Sequence, residues 1–356
     1  MVKLEQEFAG ECNLCGNEQK ALISNQDRYG FPVRTAMCLN CGLIYVLDRF
    51  TSKGYSEFYE SGSYRQLISC FKDKEQTVQR IRAAQVNYAA GLLFAMQGCL
   101  YPQKDARLLD VGGSTGLVAS EFARQYGYKA TVLDPAPTEI EASRSLGIEA
   151  VVDFIETWET SEKFDFVLLC RTVEHLFDLR KALMKIHYLL KPEGLFYCDI
   201  ADFIEICRRE GPPQATTKID HVYWLTQETA IPAFRSIGFE LVSIHTTLPS
   251  DQVGFLLRKS EPSLLRPVPF DWIQTQIRRF REIETDWLQY GRKPIDGRDW
   301  LKQNAYKLKK KILRSMPDIL TLIPTRGSSK GIPSTTNTPF VSIRETCAEH
   351  SRSICG

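Results

Sequence analysis

Two cysteine pairs, Cys12-x-x-Cys15 and Cys38-x-x-Cys41, have the spacing that most restricts their chemistry. A C-x-x-C turn puts two thiolates on one side of a tight loop. The glycine after each pair, Gly16 and Gly42, lets the backbone turn and aim amides at the sulfurs. Two such knuckles complete a tetrahedral four-thiolate site, which suits Zn2+. The competing readings are coincidental spacing or a redox disulfide. A closed site has no open coordination position, so the metal is expected to serve folding or substrate-side architecture. The stretch between the pairs is long enough for a small hairpin.

A second chemical signal is the run Asp110-Val-Gly112-Gly113-Ser114-Thr-Gly116. Arg107 to Val111 reads as a strand and Leu117 to Tyr126 as a helix. A glycine-rich turn between them lets a ligand approach the backbone, and the helix start offers free amides. Lys129 to Leu133 reads as the next strand and ends in Asp134-Pro135. That acid lies about 20 residues beyond the loop, where a carboxylate can hold ribose hydroxyls. Dinucleotide dehydrogenases and methyltransferases share this geometry, although the G-x-G-x-x-G spacing of the former is missing.

A third signal is Asp220-His221, within Ile219 to Thr226. An imidazole there could take a proton, with Asp220 to orient or tune it. The alternative is a structural histidine bonded to a carbonyl. His175, in Glu174-His175-Leu176-Phe177-Asp178, is a candidate substrate or cofactor contact.

The elements that must position these groups follow from periodicity. Residues 106–260 alternate strand-like and helix-like segments, which predicts an α/β fold with a mostly parallel, Rossmann-like sheet. Residues 1–50 form the metal module. Residues 51–105 start with an aromatic, serine-containing loop and continue into a helix from about Gln76 to Met96, with Val78, Ile81, Gln85, Tyr88, Leu92 and Ala95 near helical spacing. Residues 261–323 form a helical extension. Its stripe Trp272, Gln276, Phe280, Ile283, Trp287 and Tyr290 is expected to be core or homodimer packing. A second helix is expected over Arg298 to Arg314, with the basic run Lys307, Lys309, Lys310 and Lys311 on a solvated face or against a lipid surface. The segment 324–356 has a disordered composition.

Bulk composition narrows the function. The formal net charge of +2 over 356 residues gives no whole-molecule footprint for nucleic acid. The N-terminus lacks the basic start and apolar stretch of a signal peptide, and no apolar run approaches the ~18 residues of a membrane span. Eleven cysteines spread over a long chain fit free thiols in a reducing cytoplasm better than a secreted scaffold.

LLDVGGSTG resembles the first motif of class I S-adenosylmethionine-dependent methyltransferases: Asp110, Gly112 and Gly116 match, and Ser114 replaces the middle glycine. Asp134 matches the family's ribose-gripping acid. Asp153-Phe154 resembles the pair that frames adenine. Phe164 to Cys170 resembles the fourth strand, Glu174 to Asp178 the later motifs, and Lys191-Pro192-Glu193-Gly194 the turn into the fifth strand. The resemblance implies S-adenosylmethionine as cofactor. Asp110 would face its sulfonium or amino end, and Gly112, Gly113, Ser114 and Gly116 would lie along its methionine part. Asp134 and Pro135 would meet the ribose, and Cys170 and Glu174 would complete the site. It also implies that Asp220-His221 sits on a loop over the methyl-donor end of the sheet. The Asn/Asp-Pro-Pro-aromatic motif usual in methylation of exocyclic base nitrogens is absent after the fourth strand.

The metal module resembles a zinc ribbon. The module, the segment Phe58-Tyr59-Glu60-Ser61-Gly62-Ser63-Tyr64 and this core together are similar to the sugar C-methyltransferases, which act on nucleotide-linked deoxy-keto sugars. That resemblance implies His221 as the base beside a ketone, with Tyr59, Ser61, Ser63, Tyr64 and Tyr223 on the substrate side. Two departures stand: Lys218 replaces the family's tyrosine three residues before the histidine, and helices and a tail follow the core instead of a further α/β domain. The expected acceptor is a small, sugar-like molecule methylated at carbon or oxygen. The alternatives are an RNA methyltransferase gripping RNA through the ribbon, and a non-catalytic cofactor-binding partner protein.

Overall fold

The computed structural model describes residues 5–72, 74–101, 104–247 and 252–290. The expected second C-terminal helix, its basic run and the tail lie outside these residues.

The N-terminal part is built from short strands: β1 (Gln6–Phe8), β2 (Lys20–Ser24), β3 (Thr35–Cys38), β4 (Ile44–Val46) and β5 (Asp48–Phe50). β2 and β3 form the hairpin expected between the cysteine pairs. Three helices follow: α1 (Ser52–Glu60), α2 (Ser63–Lys72) and α3 (Val78–Ala95). Thr51 caps α1 and Thr77 caps α3, each accepting a backbone N–H in the first turn. The stretch 58–64, expected as a loop, is therefore the end of α1, a turn at Ser61-Gly62 and the start of α2. The hydrophobic side chains of Tyr55, Phe58 and Tyr59 recur at helical spacing and are buried together, which overrides the turn signal of the serines and glycine.

Next come β6 (Arg107–Val111), α4 (Leu117–Tyr126), β7 (Lys129–Asp134), α5 (Pro137–Arg144), β8 (Glu149–Val152) and β9 (Phe164–Leu169). They are followed by α6 (Leu179–Leu189), β10 (Leu190–Ala201), α7 (Phe203–Glu210), α8 (Pro213–Thr216), β11 (Tyr223–Trp224) and α9 (Gln227–Ile237). The hairpin β12 (Phe239–Thr247) and β13 (Gln252–Lys259), then α10 (Phe270–Tyr290), complete the described chain. The large sheet has the order β8-β7-β6-β9-β10-β13-β12. β6 to β10 are parallel, and β13 runs antiparallel to both β10 and β12. Lys191 to Gly194 lies at a register shift in β10, with Glu193 in the left-handed region at φ 59°.

The sheet is covered on both faces, as a parallel sheet requires. Leu108, Val132, Phe166 and Leu168 pack with α3 and α4, whereas Leu109, Leu133, Val167 and Leu169 point the other way, toward α6, α9 and the N-terminal module. Ile273, Gln276, Ile277 and Phe280 of α10 are buried, and the Phe280 ring lies 5.6 Å from Phe203 of α7. Of the expected stripe, Gln276 and Phe280 are buried within the chain, and Trp272, Ile283 and Trp287 are half-buried.

The N-terminal module also docks on the core through its backbone. β11 joins the β2-β3-β4 sheet, with Tyr223 opposite Tyr45 and Trp224 opposite Ile44. Val46 N–H donates to the Val222 carbonyl (2.9 Å) and Arg28 N–H to that of Thr217 (2.9 Å). The Asp27 carboxylate accepts from Ile219 N–H (2.9 Å). The segment carrying Asp220 and His221 is held by the cysteine module.

Candidate functional site

The strand order reverses between β6 and β9, and open α/β sheets bind ligands outside the carboxyl ends of strands at such a point. The glycine loop lies there. Gly112 (φ 69°), Ser114 (φ 52°) and Gly116 (φ 74°) are in the left-handed region, and Gly116 starts α4. A Cβ on Gly112 would come 2.4 Å from Thr172 Cγ2. Asp134 closes the loop by accepting from Ser114 N–H and Ala136 N–H, both at 2.9 Å. Pro135 lies between these two contacts.

Asp110 is 1% exposed, and its Oδ1 has no hydrogen-bond partner among the described residues. Burial, reinforced by Asp134, pushes its carboxyl up to about 8; burial pushes Asp134 up to about 6. An orphaned carboxylate oxygen beside an open-backed loop fits a ligand that carries positive charge and ribose-like hydroxyls. A valine at Gly112 adds backbone strain of about 1–3 kcal/mol and drives its side chain into Thr172, displacing the loop. Gly112→Val is expected to lose adenosyl-cofactor binding in calorimetry; unchanged affinity would remove the loop from the site.

After β9 the chain passes Cys170 and enters a single tight turn, Val173–His175, whose His175 N–H donates to the Thr172 carbonyl (2.9 Å). His175 therefore stands one turn from the residue that abuts Gly112. Its Nδ1 lies 2.9 Å from the Asp220 carbonyl and 3.0 Å from the Tyr59 hydroxyl. The His175 and His221 rings are 4.5 Å apart, edge to face. Burial pulls His175 down to about 4. Burial, then the positive charge of Lys218, holds His221 well below the usual histidine range, so both rings are neutral at pH 7. The Asp220 side chain is fully buried; neither oxygen has a hydrogen-bond donor among the described residues, and Oδ2 is 3.8 Å from His221 Nε2.

The structure sorts the other predicted residues. Tyr59 and Tyr64 reach His175: Tyr64 lies 5.1 Å from Tyr59 and 5.4 Å from His175, ring to ring. Ser61 and Ser63 instead hydrogen-bond each other at 2.8 Å on an exposed turn. The Tyr223 hydroxyl is spent on the Phe177 carbonyl (2.9 Å) and Arg49 (3.1 Å), so it braces β11. Glu174 is also a brace: its carboxylate accepts from Ala201 N–H and its carbonyl from Val222 N–H, both at 2.8 Å. Asp153 caps its own turn through Phe154 N–H and the Thr157 hydroxyl, and the Phe154 ring joins Tyr55 and Tyr59.

Two residues outside the expected site belong to it. Arg65 of α2 bonds Glu139 of α5 and the Ser114 hydroxyl (3.2 Å), tying the tyrosine helix pair to the glycine loop. Tyr55 donates to the His175 carbonyl. The spacing of Tyr55 and Tyr59 on one helix face could have exposed the second of these; nothing local marks Arg65.

The cysteines form a compact quartet. Cys12 Sγ is 3.5 Å from Cys41 Sγ and Cys15 Sγ 3.6 Å from Cys38 Sγ, and all four sulfurs lie within 4.8 Å of one another. A tetrahedron of sulfurs at about 2.3 Å from a zinc ion has edges near 3.8 Å, so the donor set fits.

The fold and the loop define an α/β domain of the nucleoside-cofactor class. Residues 80–244 match the family described as "Methyltransferase domain", and the chain carries a class I S-adenosylmethionine-dependent methyltransferase domain. Over 103 residues (27% of this chain) it is 36% identical to the ubiquinone biosynthesis O-methyltransferase of Methylobacterium nodulans, covering 41% of that protein. It is 33% identical over 103 residues to the same-named protein of a Chelativorans species, covering 40% of it. The chain thus spans about two fifths of these curated relatives. Among solved structures, the N-methyltransferase NodS of Bradyrhizobium japonicum with S-adenosyl-L-homocysteine superposes with a TM-score of 0.39 at 18% identity, covering 50% of this chain and 87% of that one. A possible histamine N-methyltransferase of Thermotoga maritima gives 0.40 at 22%, covering 51% and 95%. No helix among the described residues is long and apolar enough to cross a membrane.

Proposed function

We propose that this protein transfers a methyl group from S-adenosylmethionine to a small acceptor, with His221 as the base and Zn2+ in the cysteine quartet. The observation that carries this reading is that His221, Asp220 and His175 converge beside the turn that abuts Gly112. Bound S-adenosylmethionine supplies a methyl group activated on a sulfonium. Asp110 would hold its cationic end, Asp134 its ribose, and Phe154 would lie along its base. Neutral His221 would accept the acceptor's proton as the methyl arrives, while Tyr59, Tyr64 and His175 wall the reacting pair from water.

The Tyr59 and Tyr64 rings beside His175 and the docked cysteine module support a hydroxylated, sugar-like acceptor. The formal net charge of +2 does not favour an RNA substrate. The test is methyl-labelled cofactor offered to nucleotide-linked keto-sugars, simple sugars, phenols and RNA. Label on a sugar or phenol supports the reading, and label on RNA alone overturns it.

One consequence is a pH dependence of cofactor binding. Asp110, pushed up to about 8, is protonated at neutral pH in the free protein, and a cationic ligand favours its ionised form. Binding should therefore release a proton, so affinity should rise from pH 6 toward 8 and level off above. Calorimetry in buffers of different ionisation enthalpy reads that proton directly.

A further inference from the structure

Lys218 lies beside the proposed base. Its Nζ lies 3.2 Å from His221 Nε2. Burial pulls the Lys218 amine down and Asp220 holds it up; as an ammonium it can only donate, so Nε2 would present its lone pair there and the ring proton would sit on Nδ1, which is buried with no partner among the described residues. The other charged groups around this amine are Asp220, Glu174, Glu210 and Arg28. Glu210 pairs with Arg28 (3.3 Å) and Arg209 (2.6 Å), and Glu174 is engaged by the Ala201 amide. Asp220 is the remaining carboxyl group; its side chain is fully buried, with Oδ2 3.8 Å from the same Nε2. The reacting edge of His221 thus faces the Lys218 amine at 3.2 Å, with the Asp220 carboxyl group farther off at 3.8 Å.

We propose that Lys218 sets the chemical class of the acceptor: the site takes a group that reacts as an oxygen-centred anion, an ionised hydroxyl or an enolate, and rejects amines. The inference rests on the methyl-transfer reading above. An acceptor hydroxyl that displaces the Lys218–His221 contact gives its proton to Nε2, and its oxygen is left beside the ammonium. Its electron pair forms the new bond to the methyl carbon while the methyl–sulfur bond breaks with its pair going to sulfur. The products are the methylated acceptor, S-adenosylhomocysteine and a protonated His221 that returns its proton to water. An anion between two cations is stabilised, and its charge disappears as it meets the sulfonium. A protonated amine would bring another cation into the same enclosure, and a neutral amine would build positive charge on nitrogen as it reacts. Burial further opposes both.

The test uses the full chain, labelled S-adenosylmethionine and matched pairs: a catechol against the corresponding aminophenol, and a keto-sugar against an amino-sugar. Wild type should label oxygen or carbon and leave nitrogen unlabelled. Lys218→Met should lower kcat about 10²-fold with S-adenosylhomocysteine affinity unchanged, and Lys218→Arg should recover part of the loss. Label on nitrogen, or undiminished kcat in Lys218→Met, overturns the proposal. If no acceptor is labelled, methyl transfer itself is the reading that fails. Lys218 is then decided by 4-nitrophenol absorbance with S-adenosylhomocysteine bound. Wild type should shift the phenol toward phenolate and Lys218→Met should not; equal ionisation in both overturns the role of the charge.

Discussion

Removing the metal by chelation, or replacing Cys15 with serine, is expected to abolish acceptor methylation before cofactor binding is lost. Structural zinc sites contribute about 10–16 kcal/mol of apparent binding free energy to folding, as much as a whole domain's net stability of about 5–15 kcal/mol. The module that would lose this support does not stand apart. Its β4 pairs with β11, its Asp27 accepts from Ile219 N–H, and its Arg28 N–H donates to Thr217. These contacts flank Asp220 and His221 on both sides. The carboxylates of the cofactor loop instead stand on β6 and β7, which pair within the large sheet. Chelated protein should therefore show a lowered first thermal transition, released zinc by atomic absorption, and lost turnover. Binding of S-adenosylhomocysteine should fall less. Turnover and melting unchanged after complete zinc removal would show that the quartet does not organise the acceptor loop.

His221→Ala is expected to lower kcat about 10²- to 10⁴-fold while leaving S-adenosylhomocysteine affinity near wild type. The imidazole is neutral because burial and the Lys218 charge both oppose its protonation, so a proton acceptor is present across the physiological range. Its ring is packed against the His175 ring at 4.5 Å and the Trp224 ring at 5.9 Å. The variant removes the acceptor of the proton without touching the glycine loop or Asp134. Single-turnover kinetics separate this chemical effect from weaker acceptor binding, which would raise KM and spare kcat. Circular dichroism melts check that the buried ring's loss has not unfolded the loop. Wild-type kcat in a folded His221→Ala would end the base assignment.

How much of this was legible in the sequence depends on how local each feature is. The cysteine pairs, the glycine loop and Asp134 are set by short-range geometry. A knuckle needs two thiols and a glycine within one turn, and Gly112 and Gly116 occupy backbone conformations that most residues avoid. The parallel core was also readable, because strands buried on both faces, such as Phe164–Leu169, are nearly continuous apolar runs. The segment 58–64 was misread because glycine and serines mark a turn, whereas the burial of Tyr55, Phe58 and Tyr59 that makes the preceding stretch a helix is a tertiary fact.

The sequence by itself determined two C-x-x-C pairs, a glycine-rich loop after a strand and a histidine next to an acid. Only the tertiary structure decided that the cysteine module docks against the segment that carries the histidine. The bonds that pin residues 217–224 to the cysteine module run mostly between backbone atoms, and backbone donors and acceptors are the same in every residue, so they leave no mark on side-chain identity. Arg65 on Ser114 and Lys218 on His221 are visible only after folding, because a charged side chain in a sequence does not reveal which buried group it will meet.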